Sequence, residues 1–316
     1  MSATPQSVRD KNPPTKPRLA PWQNALCGAT AGVVSRFVIA PLDVIKIRFQ
    51  LQTDVIGMTG RVDASQSKYR GVFQSCGRIL HEEGYRGLWK GNLSAEYLYL
   101  SYGAVQFYAY YEFEGLINRA KRKLDLPLPT EMLAGALAGS AATLTTYPFD
   151  LLRTRFAVQG TKGPYTGLVQ AVRQIHAAEG IKGFYRGVWP SVLQMMPQMG
   201  IVFACYAGFR RALERFELRG IDNFISGGLA GMIGKAAVMP FDVVRKRLQV
   251  QGPERNSYVT GHVPSYPRGI LACARKIVHH EGYLALYKGL VPAILKSGPS
   301  SAVTFLVVGL CERAMS

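Results

Sequence analysis

Three stretches of this chain align on one another without a gap, and a threefold internal repeat constrains a fold more tightly than any composition. Pro41-Leu-Asp43-Val-Ile-Lys46-Ile-Arg48 matches Pro148-Phe-Asp150-Leu-Leu-Arg153-Thr-Arg155 and Pro240-Phe-Asp242-Val-Val-Arg245-Lys-Arg247. Thirteen residues before each motif proline a GxxxG begins, at Gly28, Gly135 and Gly227. Downstream lie Glu83-Gly84, Glu179-Gly180 and Glu281-Gly282, and seven residues past each of those glycines come Gly91, Gly187 and Gly289, each preceded by Lys or Arg. A further glycine, at 71, 167 and 269, stands thirteen residues before each Glu-Gly glycine. One supersecondary unit is therefore built three times, and the fold must place the copies around a shared axis.

Charge patterning says what that unit is. The 316 residues carry 38 basic and 20 acidic side chains, a net +18, yet the charges avoid six stretches. Residues 97–111, 132–149 and 187–209 hold none; 19–42 hold only Arg36, 223–241 only Lys235 and 289–311 only Lys296. The 23 residues of 187–209 are enough for a helix to cross a hydrocarbon core of roughly 30 Å. The stretches are dotted with Gly, Ser, Thr, Gln and Tyr, which suits helices with one face on lipid and another on protein or a wet cavity. The expected fold is an all-α membrane protein of six transmembrane helices in three pseudosymmetric repeats: residues 19–118, 130–216 and 221–315. Residues 1–18, with four prolines and no apolar run, read as a flexible tail. Three short loop helices, about 71–82, 167–178 and 269–280, carry apolar residues compatible with lying on a membrane surface. Much positive charge gathers at their ends, so these loops are expected on the more negative side and both termini on the other.

The same composition excludes other classes. An apolar share of 48% with 18% charge excludes disorder as the main state. A basic nucleic-acid protein would need its cations clustered with exposed aromatics on a soluble surface, so no nucleic-acid partner is expected. Five scattered cysteines with no CxxC or Cys/His spacing predict neither disulfides nor a metal site. No Ser/His/Asp, metal-ligand or P-loop arrangement appears, and an enzyme is not expected. A non-transporting membrane receptor or scaffold of the same fold is the remaining rival, although it has no use for a breakable charge ring.

The pattern Px[DE]xx[KR]x[KR] followed by [DE]Gx4[WY][KR]G, three times over residues 20–315, resembles the mitochondrial carrier family. That resemblance implies a six-helix bundle of the inner mitochondrial membrane that moves solutes by alternating access around one central site. Proline bends each odd helix, and Asp with Lys or Arg three residues on share a face beyond the bend. The expected matrix gate is a ring in which Asp43, Asp150 and Asp242 pair between helices with Lys46, Arg153 and Arg245. Pairs within each helix surface are the bland alternative. The resemblance also implies a glutamine brace at Gln50 and Gln249, with Ala157 at the third place. The family's second network on the even helices has the form [FY][DE]xx[KR], and this chain departs from it. Alignment on Phe107, Phe203 and Phe305 gives Tyr111, Ala207 and Gly309 at the acidic place, so packing such as that of Tyr110 and Tyr206 is expected to hold that end.

By the same resemblance, substrate meets the even helices at Leu98, Gln194 and Lys296, with Gln198 close by, and the odd helices at Arg36, Thr143 and Lys235. An ionisable group at bilayer depth is costly and functional by default. Arg36, Lys235 and Lys296 have no fixed partner in sequence and together suit a diphosphate or triphosphate. Glu96 is expected either to neutralise a neighbouring cation or to meet a cationic part of the substrate. The segments 91–107, 189–194 and 290–297 resemble the fungal branch of the family that moves thiamine pyrophosphate. This implies import of thiamine pyrophosphate into the matrix in exchange for nucleotides, as cargo rather than as a bound cofactor. Adenine nucleotides or coenzyme A remain alternatives, since the residues alone specify only an anionic, phosphorylated solute. Gly71, Gly91, Gly167, Gly187, Gly269 and Gly289 are expected either to offer backbone N–H groups to lipid phosphates, cardiolipin by the resemblance, or simply to turn the chain. A monomer is the family expectation.

Overall fold

The computed structural model describes residues 21–53, 68–124, 130–161, 163–213, 221–260 and 263–315. The expected tail, 1–18, lies outside the described residues, as do 19–20 and 214–216 at the edges of the expected repeats. The helices are α1 (Pro21–Leu51), α2 (Val72–Glu83), α3 (Asn92–Leu124), α4 (Thr130–Val158), α5 (Leu168–Glu179), the single turn α6 (Ile181–Phe184), α7 (Val188–Leu193), α8 (Met195–Leu213), α9 (Ile221–Gln249), α10 (Ile270–Glu281), α11 (Leu290–Leu295) and α12 (Ser297–Met315). Among the described residues no β-strand forms. Each repeat is a long odd helix (α1, α4 or α9), a short helix (α2, α5 or α10) and a long even rod (α3, α7 with α8, or α11 with α12).

Local sequence explains the shape of each rod. Pro41, Pro148 and Pro240 sit inside α1, α4 and α9. A proline leaves the carbonyl four residues earlier without its helical donor. For Pro41 that carbonyl is Phe37, and the Trp89 indole N–H donates to it at 2.9 Å. The even rods of repeats 2 and 3 break at Gln194 and Lys296, between α7 and α8 and between α11 and α12. Pro197 and Pro299, three residues on, have no N–H for the Leu193 and Leu295 carbonyls. Ser101 stands at that place in repeat 1, and α3 runs unbroken for 33 residues.

The odd helices meet one another, while α3 packs along α4, α8 along α9, and α12 back onto α1, which closes the bundle. The core gathers at the end that carries the short helices, where Val44, Ile45, Leu51, Ile79, Val243 and Ile277 are buried together. Large side chains such as Phe107, Tyr108 and Leu306 stand exposed on the even rods. Among the described residues four stretches are long and apolar enough to cross a bilayer by composition: Cys27–Leu51, Ile181–Ala212, Ile225–Gln249 and Tyr283–Cys311. The expected spans 97–111 and 132–149 fall on α3 and α4, which hold the equivalent places in their repeats. Their hydropathy is lower because α3 is rich in Tyr and charged near its end, and α4 carries Thr143, Thr145 and Thr146 followed by Tyr147 and Pro148 within its span.

At the short-helix end the motif's second cation is used three times in the same way. Arg48, Arg155 and Arg247 reach Glu83, Glu179 and Glu281 at 2.5, 2.6 and 2.8 Å. Each carboxylate takes a second cation from the cation-glycine pair, Lys90, Arg186 or Lys288, at 2.6, 2.9 and 2.7 Å. Each arginine also donates its Nε–H across to the next odd helix: Arg48 to the Ala157 carbonyl, Arg155 to that of Gln249, and Arg247 to that of Gln50. These clips fasten each short helix to its own odd helix and touch the neighbouring repeat. Burial works against ionisation of Glu83, but Arg48 and Lys90 hold its carboxyl below the usual range.

Candidate functional site

The three motif aspartates and the three first-position cations form a closed cycle. Lys46 on α1 meets Asp242 on α9 at 3.2 Å, Arg153 on α4 meets Asp43 on α1 at 2.5 Å, and Arg245 on α9 meets Asp150 on α4 at 2.8 Å. All three pairs run between helices. The bland arrangement, pairs within one helix, is not what these residues make. The proline bend explains the convergence, since it brings the next helical turn of each odd helix toward the axis.

Above this ring lies a cavity of about 240 Å³. Its wall holds six cations, Lys46, Arg153, Lys235, Arg245, Lys246 and Lys296, against the three carboxylates Asp43, Asp150 and Asp242. Three positive charges are thus in surplus at formal ionisation. Leu98, Gln194 and Thr143 also line it, as do Tyr99, Tyr102 and Tyr147. Gln194 is 5% exposed and its Oε1 has no hydrogen-bond partner. A buried acceptor left unmade costs about 1–3 kcal/mol, so the site holds unused capacity for a donor. Gln194 and Lys296 sit at the two helix breaks, where the backbone turns them inward.

Several expectations about single residues are corrected. Lys235 and Lys296 are not without partners: Lys235 reaches Asp242 at 2.5 Å, and Lys296 reaches Asp43 at 2.7 Å. The motif aspartates have oxygens facing the cavity, and the nearest long cations reach them. Arg36, Gln198 and Glu96 are not among the residues that line the cavity. Arg36 stacks its guanidinium over the Tyr99 ring, 3.5 Å from the centroid, and Arg153 lies 5.7 Å from the same centroid. Glu96 accepts from Asn92 Nδ2 at 3.4 Å, and Arg36 and Arg153 are the cations whose field reaches it.

The two expected braces differ. Gln249 donates to Asp150 and to Tyr147 Oη and accepts from Thr154 at 2.7 Å. Gln50 is fully buried, yet neither its Oε1 nor its Nε2 has a partner. Only Gln249 therefore stands on the ring. Its partner Thr154 and the neighbouring Lys246 were missed by the sequence reading. The available signal was that the motif position between the two cations is Lys in repeat 3 but Ile47 and Thr154 in the others. At the opposite end, Tyr110 stands edge-on to Tyr111 of its own helix, with ring centroids 6.1 Å apart.

The six glycines divide into two sets. Gly71, Gly167 and Gly269 cap the N-termini of α2, α5 and α10 with extended backbone and no side-chain cap. Gly91, Gly187 and Gly289 have φ of +82°, +80° and +83°. A Cβ on them would come within 2.6 Å of the Arg153 carbonyl oxygen, 2.9 Å of that of Arg245 and 3.1 Å of that of Lys46. In this second set the glycine lets the chain turn and lets the ring helix of the next repeat pack against it.

With this geometry in hand, the chain was compared with known proteins. The family model described as mitochondrial carrier protein matches residues 17–121, 125–217 and 216–316. Mitochondrial thiamine pyrophosphate carrier 1 of Botryotinia fuckeliana (strain B05.10) is 42% identical over 308 residues, 96% of this chain and 93% of the relative. Its namesake from Neurospora crassa is 44% identical over 304 residues, 93% of this chain and 90% of the relative. That from Aspergillus oryzae (strain RIB 40) is 45% identical over 289 residues, 89% of each.

Proposed function

The chain belongs to the mitochondrial carrier family, and from that premise we propose that it imports thiamine pyrophosphate across the inner mitochondrial membrane, in exchange for nucleotides, by alternating access. It is a multi-pass membrane transporter of three repeats, and thiamine pyrophosphate is its cargo. The names of its relatives support that cargo. The observation in the molecule itself that carries the reading is the cavity's surplus of positive charge beside an unpartnered buried glutamine oxygen.

The chemistry fits part by part. A diphosphate takes Lys296 and Lys235, ammonium point charges already beside the cavity space, and the ring cations lie beneath it. The pyrimidine's amino group is a donor for Gln194 Oε1. The thiazolium is a cation, and Tyr102 and Tyr147 offer ring faces in the same cavity. A phosphate that engages the cavity cations competes with Asp43 and Asp242 for them. Binding thereby acts differently on the closed and open states, which is what substrate-driven opening requires. In this reading Asp43, Lys46, Asp150, Arg153, Asp242 and Arg245 are the matrix gate, braced by Gln249, and the described state is closed at the matrix. Both termini then face the intermembrane space. Arg36 and Glu96 act at the mouth, through Tyr99, rather than on the phosphates. The caps at Gly71, Gly167 and Gly269 present free N–H groups to cardiolipin phosphates, and the protein works as a monomer.

The test is exchange in liposomes. Liposomes that contain the purified protein and are preloaded with unlabelled thiamine pyrophosphate or a nucleotide are supplied with labelled thiamine pyrophosphate, beside Lys296→Ala. Exchange by the parent and its loss in the variant are expected. Robust exchange of ATP or coenzyme A without thiamine pyrophosphate would overturn the cargo and leave the carrier mechanism standing.

A further inference from the structure

The three seams between odd helices are not held equally. Arg153 alone joins α4 to Asp43 on α1, because the second cation on Asp43, Lys296, comes from the α11–α12 break. Lys46 alone joins α1 to Asp242 on α9, because the second cation there, Lys235, belongs to α9 itself. The α9–α4 seam differs. Arg245 meets Asp150 at 2.8 Å, and Lys246 lies 3.3 and 3.2 Å from the two oxygens of the same carboxylate. Lys246 also donates to Thr154 Oγ1 on α4 at 2.8 Å, and that hydroxyl donates back across the seam to Gln249. Lys246 is 8% exposed, so these are short-range, weakly screened contacts.

A second feature reinforces the same seam. The segment after α9 crosses under repeat 2, where the Val259 N–H donates to the Val158 carbonyl at 3.0 Å and Gln174 donates to Glu254 at 3.2 Å. Gly160 makes room for Val259, which a Cβ there would meet at 2.8 Å. Across the other two seams the described residues make side-chain contacts to the start of the following segment, Lys90 to the Gln159 carbonyl at 3.1 Å and Arg247 and Lys288 to that of Gln52 at 2.9 and 2.8 Å, while 54–67 after α1 lies outside the described residues.

We propose that Lys246 is a fourth ring cation and that it keeps repeats 2 and 3 together as one body, so that the matrix end opens by departure of repeat 1. The ring is then asymmetric by one residue. The positions equivalent to Lys246 are Ile47, which has no charge to give, and Thr154, which serves as Lys246's own acceptor. The proposal rests on the gate reading above but not on the cargo.

The test needs no substrate. Spin labels are placed through p-acetylphenylalanine at Gly77, Arg173 and Arg275, exposed equivalent positions on α2, α5 and α10, in the full chain. Pairwise distances are read by pulsed electron resonance as ring cations are removed. Arg153→Gln is expected to widen the 77–173 distribution and Lys46→Gln the 77–275 distribution. Arg245→Gln should leave 173–275 narrow, because Lys246 still holds Asp150. Adding Lys246→Ile to Arg245→Gln should widen it, and Lys246→Arg in its place should not. Equal widening of 173–275 by Arg245→Gln alone would overturn the proposal, and that single variant decides the matter even where the double variant fails to fold.

Discussion

Glu82 and Glu83 are neighbours on α2, and each binds two cations, yet their removal is expected to differ severalfold in cost. Glu82 pairs with Lys68 and Arg78, both at 2.7 Å, with a third of its side chain exposed. Such a pair is worth up to about 1 kcal/mol. Glu83 pairs with Arg48 at 2.5 Å and Lys90 at 2.6 Å, and its side chain is 2% exposed. Glu83→Ala leaves Arg48, itself 1% exposed, with Tyr69 Oη and the Ala157 carbonyl but no counter-charge. Breaking one side of a buried pair costs about 3–5 kcal/mol. At about 2.1 cal/mol/K of unfolding entropy per residue, this amounts to a Tm drop of roughly 5–8 °C for a chain of this length, against under roughly 2 °C for Glu82→Ala. Thermal unfolding of the two variants in detergent, side by side, reads the difference. Replacing Glu83, Arg48 and Lys90 together with Met is expected to recover most of the loss, since no orphan charge is left. Equal shifts for Glu82→Ala and Glu83→Ala would refute the argument from burial.

Three further outcomes follow from the same geometry. Gly91→Ala is expected to lose at least the roughly 1–2 kcal/mol of a left-handed backbone and to push against the Arg153 carbonyl, whereas Gly71→Ala meets nothing within 4 Å. Melting temperature and exchange rate should therefore fall only in the first. The carboxyls of Glu82 and Glu83 are held below the usual range, so their contribution is fully present above the ordinary carboxylate pKa and is lost as pH falls through the depressed folded values. Glu83→Gln should flatten the acid limb of Tm against pH, and an unchanged limb would contradict the assignment. Gln194→Leu removes the free acceptor while roughly keeping the side chain's volume; at about 1–1.5 kcal/mol for a lost hydrogen bond, the half-saturating thiamine pyrophosphate concentration should rise roughly tenfold.

Much of this was legible before any coordinates. The paired glycines place the three short helices to within a residue, at Val72–Glu83, Leu168–Glu179 and Ile270–Glu281, whereas the charge-free stretches understate the long ones: 19–42 stops nine residues before the end of α1, and 97–111 lies well inside Asn92–Leu124. The ring pairs follow from three identical motifs meeting at one axis. What sequence could not supply is direction across the axis. Lys235 and Lys296 look unpartnered along the chain because their partners are seven and 253 residues away. Gln50 and Gln249 hold equivalent places, yet only Gln249 has a hydroxyl, Thr154, on the facing helix; the facing groups on the Gln50 side do not supply one. The breaks at Gln194 and Lys296 are marked in the sequence by Pro197 and Pro299, with Ser101 as the exception.

The two basic positions of each motif do opposite work, and burial explains how. The ring cations Lys46, Arg153 and Arg245 keep 11–15% of their side chains exposed, and they line the cavity. An anion in that space reaches them directly, so their pairs with aspartate are open to exchange. The clip arginines two residues on, Arg48, Arg155 and Arg247, are at most 1% exposed and do not line that cavity. Nothing carried through the protein competes for them, and breaking them costs the full penalty of a buried charge. Two residues along each odd helix, about 3 Å of rise, therefore separate a layer of exchangeable pairs from a layer of locked ones. The clip fastens each odd helix to its own short helix. That division requires the glutamates of the Glu-Gly motif to lie outside the cavity, which is where α2, α5 and α10 place them.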